Sequence, residues 1–367
     1  MSFRTKRVLL STPFYMLFEF FLLKYIFLLF GGIDDVYLLI LTVVIGLNRF
    51  MPMFFEAKKS RLLTRFLTTL DVLWMWASVM FLIDIVAIYI MGCFVALPLE
   101  ARLALLAIVP ILGIYNYWKA HRIVVCEKTL ELPKLDHEIS IAHLSDVHFG
   151  SVRHREIIAD VSEKLNELDC DLAIISGDLA DGSCVVEIDD FMAFSDVKMP
   201  IVFTPGNHDY YMGIDDVITA CKNAGVTVLD NESIEIEGLN ICGLPYRHSD
   251  RGFPEFDSSV IKPDLVNIIN YHVPYYWDEF SKLGFDVQLS GHTHGGQFYP
   301  AVWFAELMFK YNMGLFKNDL DRYLHVTTGV GSMDVPMRWG TNSEISILRL
   351  KKFKFLILKI FNYIRMI

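Results

Sequence analysis

Eight side chains between positions 146 and 294 hold the chemistry open to this sequence: Asp146 and His148 in DVH, Asp178 in GDLAD, Asn207 and His208 in GNHD, a lone His272, and His292 and His294 in GHTH. Carboxylate and amide oxygens mixed with imidazole nitrogens are ligands for hard or borderline divalent cations, and two closely spaced cations need a carboxylate between them. The set contains no thiolate, which points to manganese, iron, zinc or magnesium and away from an iron–sulfur centre. Each motif alone has an ordinary explanation. Asp-x-His after a strand is often a turn or a cap, Gly-Asp is a common turn, and a single histidine is more often a hydrogen-bonded core residue. The reading rests on all five occurring in this order.

Such ligands converge only if rigid elements deliver them. From about Glu138 the sequence consists of short apolar strands that each end in polar residues: ISIAHLSDVH, DLAIISGD, PIVFTPGNHD, LVNIINYH and DVQLSGHTH. Each places its functional group just past the carboxyl end of a strand, where loops on a sheet can meet at one point. Between the first two, Ile157, Ile158, Val161, Leu165 and Leu168 recur at helical spacing. This alternation predicts an α/β layered domain with sheets packed inside helices.

The order DVH, GDLAD, GNHD, lone His and GHTH resembles the calcineurin-like metallophosphoesterase superfamily over about residues 138–350. Within it, GHTHGGQ and GVGSMDVPMRWGTNSEISIL look like a branch of membrane-associated phosphoesterases, similar to UDP-2,3-diacylglucosamine pyrophosphatases. The resemblance implies a four-layer αββα sandwich with two divalent ions. Asp146, His148 and His294 would bind one, Asn207, His272 and His292 the other, and Asp178 would bridge them. His208 would be the non-ligand histidine beside the scissile ester, and Asp181 its carboxylate partner; an Asx turn before Gly182 is the other reading of Asp181. Paired cations lower the pKa of a bound water and offset charge in an in-line displacement, while a histidine such as His208 can protonate the leaving oxygen. Arg153, His154, Arg247 and His248 are further candidates for touching substrate phosphate, Asp209 is expected to fix its loop, and His121, His137, His143 and His325 are expected to be structural or surface residues.

Charge is unevenly distributed along the 367 residues. Residues 1–122 hold 12 basic and 7 acidic side chains, 123–348 hold 15 and 36, and 349–367 hold 6 and none. An acidic catalytic part argues against a nucleic-acid partner, because phosphate backbones are held by Lys and Arg. Metal ions would have to supply the positive charge for a phosphate. The six cysteines lack CxxC spacing and are expected to be reduced.

Four apolar runs, at about 13–30, 36–55, 72–96 and 103–118, predict an all-α transmembrane domain of about four helices in residues 1–122. The second contains Asn48, Arg49 and Pro52, so a re-entrant segment is the alternative there. Basic residues before the first run, between the second and third, and after the fourth place all three clusters, and the catalytic domain (137–350), on the cytoplasmic side of the cell membrane. Residues 351–367 read as a basic amphipathic segment for the membrane interface. The apolar stretch FYPAVWFAELMFKYNMGLF is expected to pack on the core, face the bilayer or line an acyl pocket. The expected function is therefore hydrolysis of a phosphoester or phosphodiester, on a membrane lipid or a lipid-linked pyrophosphate. Soluble nucleotides as substrates, or a catalytically silent interaction module, are the alternatives.

Overall fold

The computed structural model describes residues 3–247, 249 and 252–352. The expected substrate contact His248 and the interfacial segment beyond Lys352 lie outside the described residues.

The chain opens with helices α1 (Phe3–Leu28), α2 (Asp35–Glu56), α3 (Leu62–Gly92), α4 (Leu99–Leu106) and α5 (Ile108–Ala120). Taking α4 and α5 together, this gives four helical stretches among the described residues that are long and apolar enough to cross a membrane. In hydrocarbon every backbone N–H and C=O must be satisfied within the segment, which an apolar helix achieves. The second stretch is unbroken: α2 passes through Asn48, Arg49 and Pro52. Its polar groups face other helices rather than lipid. Asn48 donates to the Leu67 carbonyl at 2.9 Å, and the Arg49 guanidinium lies 4.4 Å over the Tyr15 ring. Trp74 Nε1 donates to Glu19, which is fully buried, at 3.0 Å. Leu39, Val44, Phe54, Leu82, Ile111 and Ile114 point outward.

Two six-stranded sheets follow. The first has the order β1 (Ile123–Leu132), β12 (Ser343–Lys352), β2 (Ile139–Leu144), β3 (Leu172–Ser176), β4 (Ile201–Thr204), β5 (Thr227–Val228). The second has the order β10 (Gly314–Lys317), β11 (Tyr323–Val326), β9 (Val287–Ser290), β8 (Val266–Tyr271), β7 (Leu239–Leu244), β6 (Glu232–Ile236). Strand alternation decides the packing. Ile139, Ile141, Leu172, Ile174 and Val202 face Leu239, Ile241, Ile268 and Leu289 across the middle. Ala142, Leu144, Ala173, Ile175 and Phe203 point the other way, onto α6 (Arg155–Asn166) and α7 (Ile214–Asn223). On the far side Cys242, Leu244, Ile269 and Tyr271 pack under Phe280 of α8 (Trp277–Leu283). The result is the expected four layers, α/β/β/α. Burial on both faces explains why the central parallel strands read as nearly continuous apolar runs.

The sandwich is wider than the sequence suggested. β1 starts almost directly after α5 and pairs in parallel with β12 along its full length, from Ile123 beside Ser343 to Leu132 beside Lys352. The domain is also fastened to the helices. Val72, Trp76 and Met80 of α3 and Val109 of α5 form one cluster with Val335 and Met337. Arg338 N donates to the Asn116 carbonyl at 3.1 Å, and Ser343 Oγ donates to the Ala120 carbonyl at 2.8 Å.

Candidate metal centre

Five strands, β2, β3 and β4 of the first sheet and β8 and β9 of the second, end on the same side. Immediately beyond them stand Asp146 and His148, Asp178, Asn207 and His208, His272, and His292 and His294. Asp146, His148, Asp178, His292 and His294 all have φ between 50° and 71°. A side chain at such a φ costs about 1–2 kcal/mol per residue, and Asp and His are among the few that adopt it readily. Five such residues side by side mean that the surrounding loops over-determine their backbone.

The loops are locked by backbone pairing and by one carboxylate. Asp146 N donates to the Gly177 carbonyl at 3.0 Å and His148 N to the Asp178 carbonyl at 3.1 Å. Asp209, as expected, fixes the loop: its oxygens accept from the N–H groups of Asp178 (2.9 Å), Ala180 (2.8 Å) and Gly206 (2.8 Å). Gly206 has no space for a Cβ, which would meet the Asp178 carboxylate.

Two triads result, Asp146 with His148 and His294, and Asp178 with His272 and His292; in each, the ligand atoms lie within 4.8 Å of one another. In the first, His148 Nε2 and His294 Nε2 are 3.1 Å apart and His294 Nε2 is 3.2 Å from Asp146 Oδ1. In the second, His272 Nε2 is 3.0 Å from Asp178 Oδ2 and 3.2 Å from His292 Nδ1. Asp178 Oδ2 also lies 4.0 Å from His148 Nε2, which puts this carboxylate between the triads. Ring nitrogens this close repel through their lone pairs unless a proton or a cation stands between them. Among the described residues, Asp146 Oδ1 and Asn207 Oδ1 are buried without a hydrogen-bond donor. Orphaned acceptors beside convergent imidazoles fit a pair of divalent cations.

The outer contacts prepare the ligands. His272 Nδ1 donates to the Ser176 carbonyl at 2.7 Å, which leaves the Nε2 lone pair for a metal. Burial opposes charge on Asp178, but His272 and His208 outweigh it and hold the carboxyl below the usual range. Burial would lower His272, yet the Asp178 charge and hydrogen bond lift it to about 9. Burial, with His272 adding to it, takes His292 down to about 3, and burial takes His294 to about 4 despite Asp146. His292 and His294 are thus held toward the neutral state that ligates, whereas the neighbouring carboxylates favour the protonated forms of His272 and, against its burial, of His148.

His208 is half-buried above the first triad, its ring edge-on to His148 with centroids 4.9 Å apart. Its N–H donates to Asp178 Oδ1 at 2.8 Å, and Nδ1 meets the main-chain carbonyl of Asp181 at 3.0 Å. The contact expected from the Asp181 carboxylate is thus made by its backbone, while Asp181 Oδ1 accepts from Ser183 N at 2.6 Å, the turn geometry that was the other reading. Arg153 is likewise a correction: it is buried and committed to Asp160 at 2.8 Å and to the Ala120 carbonyl, so it braces the junction with α5 instead of a phosphate. The ring of His154 lies tilted against Phe149 with centroids 4.5 Å apart, beside Lys59, Ser60 and Arg65. Arg247 lies 5.0 Å over the Tyr210 ring, and its neighbour Tyr246 lines the His292 side. His143 and His325 are a buried pair, 2.7 Å apart, in a structural role as expected.

One support of the site escaped the sequence reading. Arg338 is fully buried and donates to the carbonyls of His294, Gly329 and Gly331 at 3.2, 3.1 and 2.6 Å, holding the second GHTH histidine in place. The apolar stretch after GHTHGGQ forms α9 (Ala301–Met308), which exposes Trp303, Phe304, Leu307 and Met308. It starts from the turn carrying His294 and ends at Phe309, whose ring is edge-on to His292 with centroids 5.9 Å apart.

Residues 139–296 match the family described as calcineurin-like phosphoesterase. A protein of Helicobacter pylori named an uncharacterized metallophosphoesterase is 31% identical over 232 residues, covering 61% of this chain and 63% of its own. The uncharacterized protein YpbG of Bacillus subtilis is 32% identical over 225 residues, covering 58% of this chain and 81% of its own. A zebrafish (Danio rerio) transmembrane protein with metallophosphoesterase domain is 25% identical over 276 residues, covering 68% and 62%. The chain spans less than two thirds of the length of the Helicobacter relative.

Proposed function

We propose a function from the premise that the chain belongs to the calcineurin-like phosphoesterases: metal-dependent hydrolysis of a phosphoester at a membrane surface, with a lipid or lipid-linked phosphoester as substrate class. The observation that supports hydrolysis is the Asp178 carboxylate standing between two ligand triads, with His208 beside them. Asp146, His148 and His294 would hold one divalent ion, Asp178, Asn207, His272 and His292 the second. Bound there, the ions would supply Lewis acidity toward phosphate oxygens and a more acidic water.

The chain's own residues do the rest. Nδ1 of His208 is fixed on the Asp181 carbonyl, so Nε2 is the nitrogen left, in the protonated ring, to give a proton to the leaving oxygen or stabilise its charge. Asp209 holds the Asp178 and Asn207 loops in register, and Arg338 holds the His294 turn.

The lipid class is favoured by α9. Exposed large apolar side chains in a contiguous patch mark an interaction surface, and these lead from one metal ligand to another. The aromatic wall of Tyr246, Tyr275 and Phe309 would also suit a planar base, which keeps soluble nucleotides as the second reading. For orientation, the loop after α2, carrying exposed Lys58 and Lys59, lies on the catalytic domain's side of the helices, which by the basic-residue rule favours the cytoplasmic face.

The test is turnover by detergent-purified full-length protein, with manganese, zinc or magnesium, of p-nitrophenyl phosphate esters, diacylated nucleoside diphosphate lipids, phospholipids and cyclic nucleotides. Asp178→Asn is expected to lower kcat/KM by about 10³-fold or more. Preference for acylated over soluble substrates supports the lipid class, the reverse preference supports nucleotides, and no turnover with any metal sinks the enzyme reading.

A further inference from the structure

Glu56 ends α2 and is buried, at 1% exposure, where the helix meets the catalytic domain. A buried carboxylate costs several kcal/mol unless donors satisfy it. Here one oxygen accepts from Arg61 N at 3.2 Å and from the Thr64 hydroxyl, within the hairpin that joins α2 to α3. The other accepts from Ser151 Oγ at 3.2 Å, across the interface.

Ser151 follows the loop that carries Asp146 and His148, and its N–H donates to Ser183 Oγ at 2.7 Å. Ser183 N donates to the Asp181 carboxylate at 2.6 Å, and the Asp181 carbonyl takes His208 Nδ1 at 3.0 Å. Val185, further along the same loop, donates its N–H to the Glu56 carbonyl at 3.4 Å. The two loops close on each other because residue 150 is glycine; a Cβ there would collide with the Asp181 carboxylate.

We propose that Glu56 is a positioning residue for the reaction: the end of a membrane helix sets the Asp181 loop, and through its carbonyl the imidazole of His208. This rests on the phosphoesterase reading above. It adds that the helices determine how fast the site works and do not merely tether it.

The experiment compares wild type, Glu56→Gln, Ser151→Ala, Ser151→Thr, the double variant Glu56→Gln/Ser151→Ala and the exposed control Lys58→Ala, all full-length in lipid nanodiscs. If wild type turns over nothing, the hydrolase reading fails first. With wild type active, Glu56→Gln is expected to lower kcat about 10-fold with KM within about twofold, since small displacements of a reacting group cost up to about 10²-fold. The double variant should be no slower than Glu56→Gln, and Ser151→Thr, which keeps the hydroxyl, should recover most of what Ser151→Ala loses. Metal stoichiometry should stay at the wild-type value while hydrogen–deuterium exchange quickens in residues 150–153 and 181–185. Should Glu56→Gln fail to accumulate, Ser151→Ala breaks the same link from the domain side with the same expectations. An unchanged kcat, a loss of metal from Glu56→Gln, or an equal loss in Lys58→Ala would each overturn the proposal.

Discussion

The two halves of the metal centre are held by opposite kinds of contact. The first sheet delivers Asp146, His148, Asp178 and Asn207, and its two carboxylates accept backbone N–H groups: His208 N on Asp178 and His292 N, at 3.0 Å, on Asp146. The second sheet delivers His272, His292 and His294, and its imidazoles and turns are fixed through carbonyl oxygens, Ser176 O on His272 and the carbonyls held by Arg338. Donors stabilise the two carboxylates that must be ionised, and a carbonyl sets the tautomer of a ring that must ligate. Electrostatic role, more than position in the sheets, decides what kind of support each ligand needs.

The comparison breaks most visibly at the residue that belongs to neither set of ligands. His208→Ala should lose about 10²–10⁴-fold in kcat with both metals retained, measured by turnover alongside metal analysis; metal loss would make His208 a ligand. Asp209→Asn removes the carboxylate that serves three N–H groups of the first half. Because it loosens the bridging Asp178, affinity for both ions should fall by about 10–100-fold in calorimetric titration. Arg338→Met should weaken one ion by a comparable factor and spare the other, since the ligand whose carbonyl it holds, His294, belongs to the first triad. Equal effects on both ions in both variants would erase the distinction between the halves.

Proton competition sharpens the same contrast. His272 is lifted to about 9 in the metal-free protein, above its ordinary 6.5, so its charged pairing with Asp178 stabilises that form fully below about pH 6.5. The contribution is lost as pH rises through 9. Metal must displace this proton, so affinity should rise by up to about tenfold per pH unit over that window while the Tm of the metal-free protein falls. A flat affinity between pH 6.5 and 9 would show that Asp178 does not charge His272. The smallest effect is expected outside both halves: Trp303→Ser with Leu307→Ser on α9 should raise KM about 10-fold for acylated substrates and leave soluble esters unchanged.

The convergence of the candidate ligands was legible because each sits directly after a strand whose apolar run is plain in the sequence, so periodicity puts Asp146, Asp178, Asn207, His272 and His292 at one edge of the sheets. The supports were not legible, because they act across long separations. Arg338 reaches His294 from a loop forty-four residues on, and Glu56 reaches Ser151 across ninety-five. Nothing in PMRWG or FFEAKKS announces those partners. Asp181 misled for a different reason: a residue type was read as a carboxylate partner where its main chain makes the contact. Arg153 sits one residue before a helical histidine cap and looked exposed, yet its guanidinium turns back to the Ala120 carbonyl at the end of α5. β1 was passed over because IVVCEKTLEL mixes charge with β-branched residues, the composition of an edge strand whose exposed positions face water.

That edge strand sets an order of events during synthesis. β12 lies between β1 and β2, and pairs with β1 from Ser343 opposite Ile123. The helices and β1 leave the ribosome more than two hundred residues before the strand that fills this place, and long-range closure of this kind is slow. Until β12 is made, β1 lacks its strand partner and β2 presents one unpaired edge. A nascent chain stalled before residue 343 would carry both candidate ligand triads and still lack the strand that joins the first sheet to its own beginning.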